Sequence, residues 1–333
     1  MSFDLADSWV WDFWFADDGE QHHMFFLYAS RALHDPDARH HRASIGHAVS
    51  DDLRSWQRVQ DALVRSDAPA VDELATWTGS VVRADDGGWH LFYTGARLEP
   101  DPAGRLRNVQ RVARARSRDL VIWHKDDGAL LDAHSPVAQK GGLRYETLTD
   151  AAWHDEAFRD PWVMRDPGGD GWHMLITARG VPAGSASTGA AVDARDRGVV
   201  GHATSPDLSS WTLRSPLTSI GSGFGQLEVT QVEEIEGRPV LIFSCASPEL
   251  AGAREGEEGG VWAAPAESAL GPFRVAEAYR LTGMEFYSGK LVQQRDGQWC
   301  LLAFRHDGSD GTFVGGVSDP MPVAWRDGRL VLT

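Results

Sequence analysis

The feature that most constrains this chain is a phrase written five times: a strand-like run, a Gly-containing acidic turn, then a strongly apolar run. The apolar runs read His23-Met24-Phe25-Phe26-Leu27-Tyr28, Trp89-His90-Leu91-Phe92-Tyr93-Thr94, Trp172-His173-Met174-Leu175-Ile176-Thr177, Pro239-Val240-Leu241-Ile242-Phe243-Ser244 and Trp299-Cys300-Leu301-Leu302-Ala303-Phe304. They follow turns at Gly19, Gly87-Gly88, Gly171, Gly237 and Gly297. Asp-Gly and Glu-Gly between β-rich runs predict hairpins, because glycine accepts the positive φ that a tight turn demands.

A third run and a turn of nearly fixed wording follow three of the hairpins. Gly46-His47-Ala48-Val49-Ser50-Asp51-Asp52-Leu53-Arg54-Ser55-Trp56 is matched over 114–123 and 201–211, with looser copies over 261–273 and 316–325. In this turn Ser and Asp reverse the chain, Leu plugs the base of the unit and Trp opens an outermost strand. Five such units, each a meander of about four strands, predict an all-β chain: one domain over 1–333, a five-bladed β-propeller of antiparallel blades around a central channel. A two-sheet sandwich would explain strands but not the recurring phrase. No long window carries a sustained 3.6-residue apolar period, so little helix is expected. Segments 98–108, 125–158, 181–198 and 251–259 are rich in Gly, Ala, Ser, Pro and charge and read as loops, some of which would ring the channel mouth.

Acidic residues exceed basic ones by 48 to 32, a formal charge of -16, which repels nucleic acid and anionic lipid surfaces and favours a neutral or cationic partner. Fourteen Trp supply indole faces that serve as core filler or as platforms for sugars. The first residues are acidic, with neither the basic nor the apolar region of a signal peptide, and no apolar run is long enough to span a bilayer, so a cytoplasmic protein is expected. Two Cys, each inside a strand-like run, read as buried free thiols. The adjacent pairs His22-His23 and His40-His41 would point to opposite faces of a strand and cannot chelate together. With no phosphate loop, nucleotide fingerprint or nucleophile elbow, neither a cofactor nor a metal is expected. Nothing in the sequence specifies an oligomeric state.

The first strand of each propeller blade lines the channel. Counted back from the turn glycines, Asp12, Ser80, Asp160, Glu228 and Tyr287 fall seven, seven, eleven, nine and ten residues away. Allowing for turn length, these five are expected near the same end of the innermost strands. Alone, each carboxylate reads as a capping or solvent-facing residue; together, Asp12, Asp160 and Glu228 would converge from blades I, III and IV. Carboxylates crowded into a narrow channel repel one another, so at least one should hold a raised pKa and serve as an acid while another stays ionised. Glycosidic cleavage needs that division of labour.

These motifs resemble the five-bladed glycoside hydrolases of families 32 and 68, the invertases, fructanases and levansucrases. Trp11-Asp12-Phe13-Trp14 looks like the levansucrase nucleophile segment, Trp77-Thr78-Gly79-Ser80 is similar to the Trp-Ser-Gly-Ser that contacts the fructosyl unit, and Arg159-Asp160-Pro161 matches the Arg-Asp-Pro motif of both families. Glu228 falls where those families keep the acid/base Glu, and Glu285-Phe286-Tyr287 is similar to the invertases' Asp-Phe-Tyr. The resemblance implies a retaining enzyme acting on a small β-fructofuranoside, by hydrolysis or fructosyl transfer. Asp12 would be its nucleophile, Glu228 its acid/base, and Asp160 with Arg159 its grip on ring hydroxyls. Trp11, Trp14 and Trp77 would form apolar walls, with Ser80 and Tyr287 as further sugar contacts. The departures are Phe13 after the nucleophile, no Cys-Pro or Arg-Pro after Glu228, and no C-terminal β-sandwich before Thr333, so the likeness reads as one of clan. An inverting arabinofuranosidase or xylosidase of the family 43 type, and a propeller that binds sugar without chemistry, are the alternatives.

Overall fold

The five glycine turns each close an antiparallel hairpin, and the chain after each hairpin returns to make a third and a fourth strand. The computed structural model describes residues 2–138, 142–150, 152–182 and 192–333. Blade I comprises β1 (Ser8–Asp17), β2 (His22–Ser30), β3 (Ser44–Ser50) and β4 (Gln57–Arg58). Blade II comprises β5 (Ala75–Arg83), β6 (Trp89–Pro100), β7 (Leu106–Ser117) and β8 (His124–Lys125). In blade III, β9 (Leu143–Tyr145) joins β10 (Phe158–Arg165), β11 (Trp172–Pro182), β12 (Gly198–Ser205) and β13 (Thr212–Arg214). Blade IV comprises β14 (Glu228–Ile235), β15 (Arg238–Cys245), β16 (Gly260–Pro265) and β17 (Tyr279–Arg280). Blade V comprises β18 (Phe286–Gln293), β19 (Trp299–Arg305), β20 (Met321–Arg326) and β21 (Arg329–Leu332).

Strand order within each sheet follows the chain, with β9 alone off the path beside β11. The innermost strands β1, β5, β10, β14 and β18 touch one another in cyclic order, so the five sheets form a closed ring. The chain's two ends seal it: Phe3 and Val317 exchange backbone hydrogen bonds of 3.0 and 2.9 Å, and Gly316 N donates to Val10 O at 2.8 Å. Among the described residues, helix is confined to short 3-10 turns such as Pro36–His41.

The repeated turn works as its residue types require. Asp52 Oδ1 accepts from the backbone N–H groups of Arg54 and Ser55 at 2.8 and 2.7 Å, which satisfies donors that a reversal leaves open. Leu53 takes a left-handed φ of 59° to turn its side chain into the blade, where it is buried. The Trp56 indole then donates to Leu53 O at 3.2 Å. Asp119-Leu120 with Trp123 and Asp207-Leu208 with Trp211 repeat the device, with indole bonds of 3.0 and 3.1 Å. Between blades the core is aliphatic and aromatic: Phe13, Trp14, Phe25, Phe92, Phe158, Phe224 and Phe243 are fully enclosed, and Cys245 and Cys300 are buried and unpaired.

Several expected loops are partly structured. Segment 98–108 is the far end of a long hairpin, with Arg97 opposite Val109, Glu99 opposite Arg107 and Pro100 opposite Leu106. Its charged side chains pair along the ribbon, Arg111 with Glu99 at 2.8 Å, so strand structure persists without an apolar face. Within 125–158, β9 docks on β11 through Tyr145, whose hydroxyl donates to Arg214 O at 2.8 Å. Arg254, within 251–259, lies 4.9 Å from the Trp262 ring. Half of segment 181–198, residues 183–191, falls outside the described residues.

Candidate active site

Each innermost strand carries one β-bulge at the same height. The register breaks between Trp11 and Phe13, Trp77 and Gly79, Arg159 and Trp162, Glu228 and Gln231, and Tyr287 and Lys290. In a regular strand, neighbouring side chains face opposite ways, and a bulge breaks that alternation. Consecutive pairs therefore line one cavity of 490 Å³ at the N-terminal ends of these strands: Trp11 and Asp12, Trp77 and Thr78, Arg159 and Asp160, Glu228 and Val229, Tyr287 and Ser288. Asp160, Val229 and Ser288 have φ of 56°, 53° and 48°. Left-handed φ is costly for non-glycine residues, most of all for β-branched Val, and such strain collects at functional sites.

The bulges correct the expected register. Glu228 stands level with Trp11, Trp77, Arg159 and Tyr287 in one ring, whereas Asp12 and Asp160 share the next ring with Thr78, Val229 and Ser288. Ser80 lies beyond the bulge and off the cavity. Its hydroxyl donates to Pro161 O at 2.7 Å and accepts from Val163 N at 3.0 Å, joining blade II to blade III. Trp14 is likewise no cavity wall: it is fully buried behind β1, stacked on Phe25 at 6.3 Å.

Two hydroxyls hold Asp12: Ser288 Oγ donates to Oδ1 at 2.6 Å and Thr78 Oγ1 donates to Oδ2. Two donors hold Glu228 as well, Arg159 Nη2 on Oε1 and Tyr287 Oη on Oε2. Arg159 also donates to Gln110 Oε1 at 3.1 Å and lies 3.4 Å from Asp160 Oδ2. Burial pushes the Asp12 carboxyl up from its ordinary value, and nearby Glu228 adds to the push against the Ser288 and Thr78 bonds. Burial also lifts Asp160 to about 7, helped by Asp12 and Glu228 and opposed by Arg159. On Arg159 burial acts to lower the pKa, but Glu228 and Asp160 outweigh it and hold the guanidinium firmly charged. Beneath the carboxylates, Lys290 Nζ donates to Val229 O at 3.2 Å; its pKa falls to about 8 through burial, with Asp160 and Asp12 opposing.

The opposite wall was not legible as a site. His40 sits on the turn Pro36–His41 instead of a strand, edge-on to Trp11 and Trp77 at 6.2 and 6.3 Å, and the Trp77 indole donates to His40 O at 2.7 Å. Burial, with Arg39 beside it, drops His40 to about 3, so the ring is neutral. Thr78 and Ser288 carry no sequence signal of their own: each follows a residue expected at the site, Trp77 or Tyr287, and only the bulge turns both members of the pair inward. Among the described residues no group of three or more His, Cys, Asp or Glu is placed to hold a metal ion. A larger groove of 890 Å³ between blades II and III is lined by Asp85, Asp86, Asp119 and Asp207, each already engaged: Asp86 pairs with Arg118 at 3.1 Å, Asp85 pairs with Arg165, and Asp119 and Asp207 accept backbone N–H bonds of their own turns.

Solved structures share this architecture. An inulosucrase from Halalkalicoccus jeotgali, bound to kestose, aligns with a TM-score of 0.79 at 22% identity over 99% of this chain and 88% of its own. A Bombyx mori family 32 β-fructofuranosidase aligns at 0.70 with 19% identity, over 100% of this chain and 64% of its own. A Lactobacillus gasseri sucrose-6-phosphate hydrolase aligns at 0.65 with 17% identity, over 98% of this chain and 62% of its own. No curated protein matches by sequence. At these identities the likeness speaks for the fold. Membership rests on the sequence profile of the glycosyl hydrolases family 32 N-terminal domain, which matches residues 14–310 and narrows the clan-level resemblance: the chain belongs to glycosyl hydrolase family 32.

Proposed function

We propose that this glycoside hydrolase cleaves β-fructofuranosides of small sugars by a retaining double displacement. One observation carries the reading: neighbouring residues Tyr287 and Ser288 hold Glu228 and Asp12 by one hydrogen bond each at the same cavity, so carboxylates from blades IV and I flank one space. That space also takes Asp160, Arg159, Trp11 and Trp77.

In the first step an Asp12 oxygen bonds to the anomeric carbon as the glycosidic C–O bond breaks, and Glu228 gives its proton to the leaving oxygen. In the second, Glu228 takes a proton from water, the water oxygen bonds to the anomeric carbon, and Asp12 is released. A sugar hydroxyl in place of water gives fructosyl transfer. Asp160, backed by Arg159, accepts hydrogen bonds from ring hydroxyls as oxocarbenium charge develops, and Trp11 and Trp77 exclude water. The kestose held by the solved inulosucrase of this fold supports a fructoside ligand. Family membership favours this reading over inverting arabinofuranosidase chemistry.

The test is a screen of sucrose, kestose, inulin, levan and aryl arabinofuranosides, with the first-formed anomer read by NMR. Cleavage of a fructoside with retained configuration is expected, and Asp12→Asn should lose roughly four orders of magnitude or more in kcat with the fold intact. An inverted product, or wild-type turnover by Asp12→Asn, would overturn the assignment.

A further inference from the structure

The wall of the cavity around Glu228 is crowded with polar atoms that the chain itself does not satisfy. Among the described residues, Asn108 Oδ1 and Nδ2, Asp155 Oδ1, Gln226 Oε1 and Glu249 Oε2 are buried and have no hydrogen-bond partner, and all four residues line the cavity. Buried polar groups are nearly always paired, because an unmade bond forfeits the desolvation of the group. Several such atoms gathered on one wall of one cavity point to a polar ligand.

Gln226, Glu249 and Asp155 are each held by their other side-chain atom, and Asn108 by its backbone. Gln226 is 2% exposed, and its amide nitrogen donates to Glu249 Oε1 at 2.9 Å. Gln110 Nε2 donates to Asp155 Oδ2 at 2.8 Å, and the Asn108 carbonyl accepts from Glu156 N at 2.9 Å. The wall belongs to Glu228: Gln226 precedes it by two residues, and Gln110 ties Asp155 to Arg159, which in turn holds Glu228. In the retaining reading Glu228 protonates the leaving oxygen, so the group behind that oxygen meets this wall.

We propose that Asn108, Asp155, Gln226 and Glu249 form the leaving-group subsite, which accepts an uncharged polyhydroxylated sugar and rejects a phosphorylated one. The inference rests on the fructosidase reading above. Four of the five open atoms are acceptors or carboxylate oxygens, suited to sugar O–H donors. A phosphate brings only acceptors and negative charge. The basic groups on this wall are Arg159, already committed to Glu228, Gln110 and Asp160, and the exposed His154, whose Nε2 lies 3.8 Å from Asp155 Oδ2; Arg39, whose Nε is also open in this cavity, stands on the Trp11 side, 5.5 Å from that ring, with Nη1 donating to Pro36 O at 2.7 Å. Burial, with Glu228 adding, lifts Glu249 to about 8, so at neutral pH it also offers a proton to a sugar oxygen.

Sucrose and sucrose 6-phosphate, whose phosphate sits on the glucosyl leaving group, separate the cases, with methyl β-D-fructofuranoside as the control that lacks a leaving-group sugar. The wild-type enzyme should cleave sucrose with kcat/KM at least about tenfold above sucrose 6-phosphate. Asp155→Asn should narrow that ratio several-fold while changing methyl fructoside cleavage less than sucrose cleavage, whereas Glu249→Gln, which exchanges one neutral group for another at neutral pH, should lower sucrose cleavage more than methyl fructoside cleavage without narrowing the ratio. Equal kcat/KM for the two sucroses, or variants that depress all three substrates alike, would overturn the subsite alone. Failure to cleave any of the three would overturn the fructosidase reading and the subsite with it.

Discussion

Ser288 Oγ donates to Asp12 Oδ1 at 2.6 Å, a bond that spans nearly the whole chain and crosses the joint between the fifth and first blades. The strand Phe286–Gln293 thus presents the hydroxyl that holds the proposed nucleophile, while its neighbour Tyr287 holds Glu228. Asp12 must be ionised to attack, and burial already raises its pKa. The Ser288 bond favours the ionised form, so Ser288→Ala should raise the pKa further and move the acidic limb of kcat/KM to higher pH. Within that limb kcat/KM should fall roughly tenfold, the worth of a hydrogen bond to a charge of about 1.5 kcal/mol, with a smaller change on the plateau. A pH–rate profile on the preferred fructoside checks it.

Arg159→Lys keeps the charge and loses the fork. The guanidinium reaches Glu228 with Nη2, Gln110 with Nη1 at 3.1 Å and Asp160 with Nε at 3.4 Å, and one ammonium cannot reproduce three directions. We expect kcat/KM to fall roughly 100-fold, about 3 kcal/mol of lost transition-state stabilisation, with the far-ultraviolet circular dichroism unchanged. Steady-state kinetics on the same fructoside checks the loss.

Much of the fold could be read from the sequence because its signals are local and repeated. The five turn glycines and the Asp-Leu-Trp turn of Asp52, Leu53 and Trp56 each state their geometry within a few residues. The long hairpin through Glu99 and Arg107 escaped because its strands are held by cross-strand charge pairs and carry no apolar face. At the site, the convergence of Asp12, Asp160 and Glu228 was legible and their register was not. The first strand of blade I ends two residues before its turn glycine, at Asp17, and those of blades II and V end four before theirs, at Arg83 and Gln293, so the count that reaches Asp12 from Gly19 reaches Ser80 instead of Thr78 from Gly87, and a count of ten from Gly297 reaches Tyr287, one residue before Ser288. The polar wall of Asn108, Gln226 and Glu249 left no mark, because nothing in a single sequence tells an unpaired amide from a paired one.

Gly79 sets the bulge of blade II. A Cβ there would lie 1.9 Å from the carbonyl oxygen of Phe92 and 2.9 Å from Tyr93 Cα, both backbone atoms of the paired strand that no rotamer change can move. Gly79→Ala should therefore force β5 and β6 apart and cost about 3 kcal/mol or more. Calorimetry should show a melting temperature lower by roughly 6–12 °C.

Glu233 governs part of the stability at the other mouth of the channel, where it lines a cavity with Gln231, Lys290 and Trp162. Burial pushes its carboxyl up from 4.5 to about 7, while the 2.8 Å bond from Gln231 and the charge of Lys290 pull the other way. The folded protein therefore holds a proton that the unfolded chain has already released. As pH rises from about 4.5 through about 7, the unfolded state is favoured and stability falls. Glu233→Gln removes that penalty, because a neutral amide can keep the contact to Gln231. The variant should melt above the wild type at pH 8 and converge with it near pH 4.5. A tenfold difference in proton affinity between the folded and unfolded chain is worth about 1.4 kcal/mol, and the side chain is partly open to solvent, so the gain at pH 8 should be on the order of 1–2 kcal/mol, or roughly 2–6 °C. Melting curves of both proteins across this pH range decide it: a difference that stays constant with pH, or grows toward acid, would show that Glu233 is ionised in the fold at neutral pH at no cost.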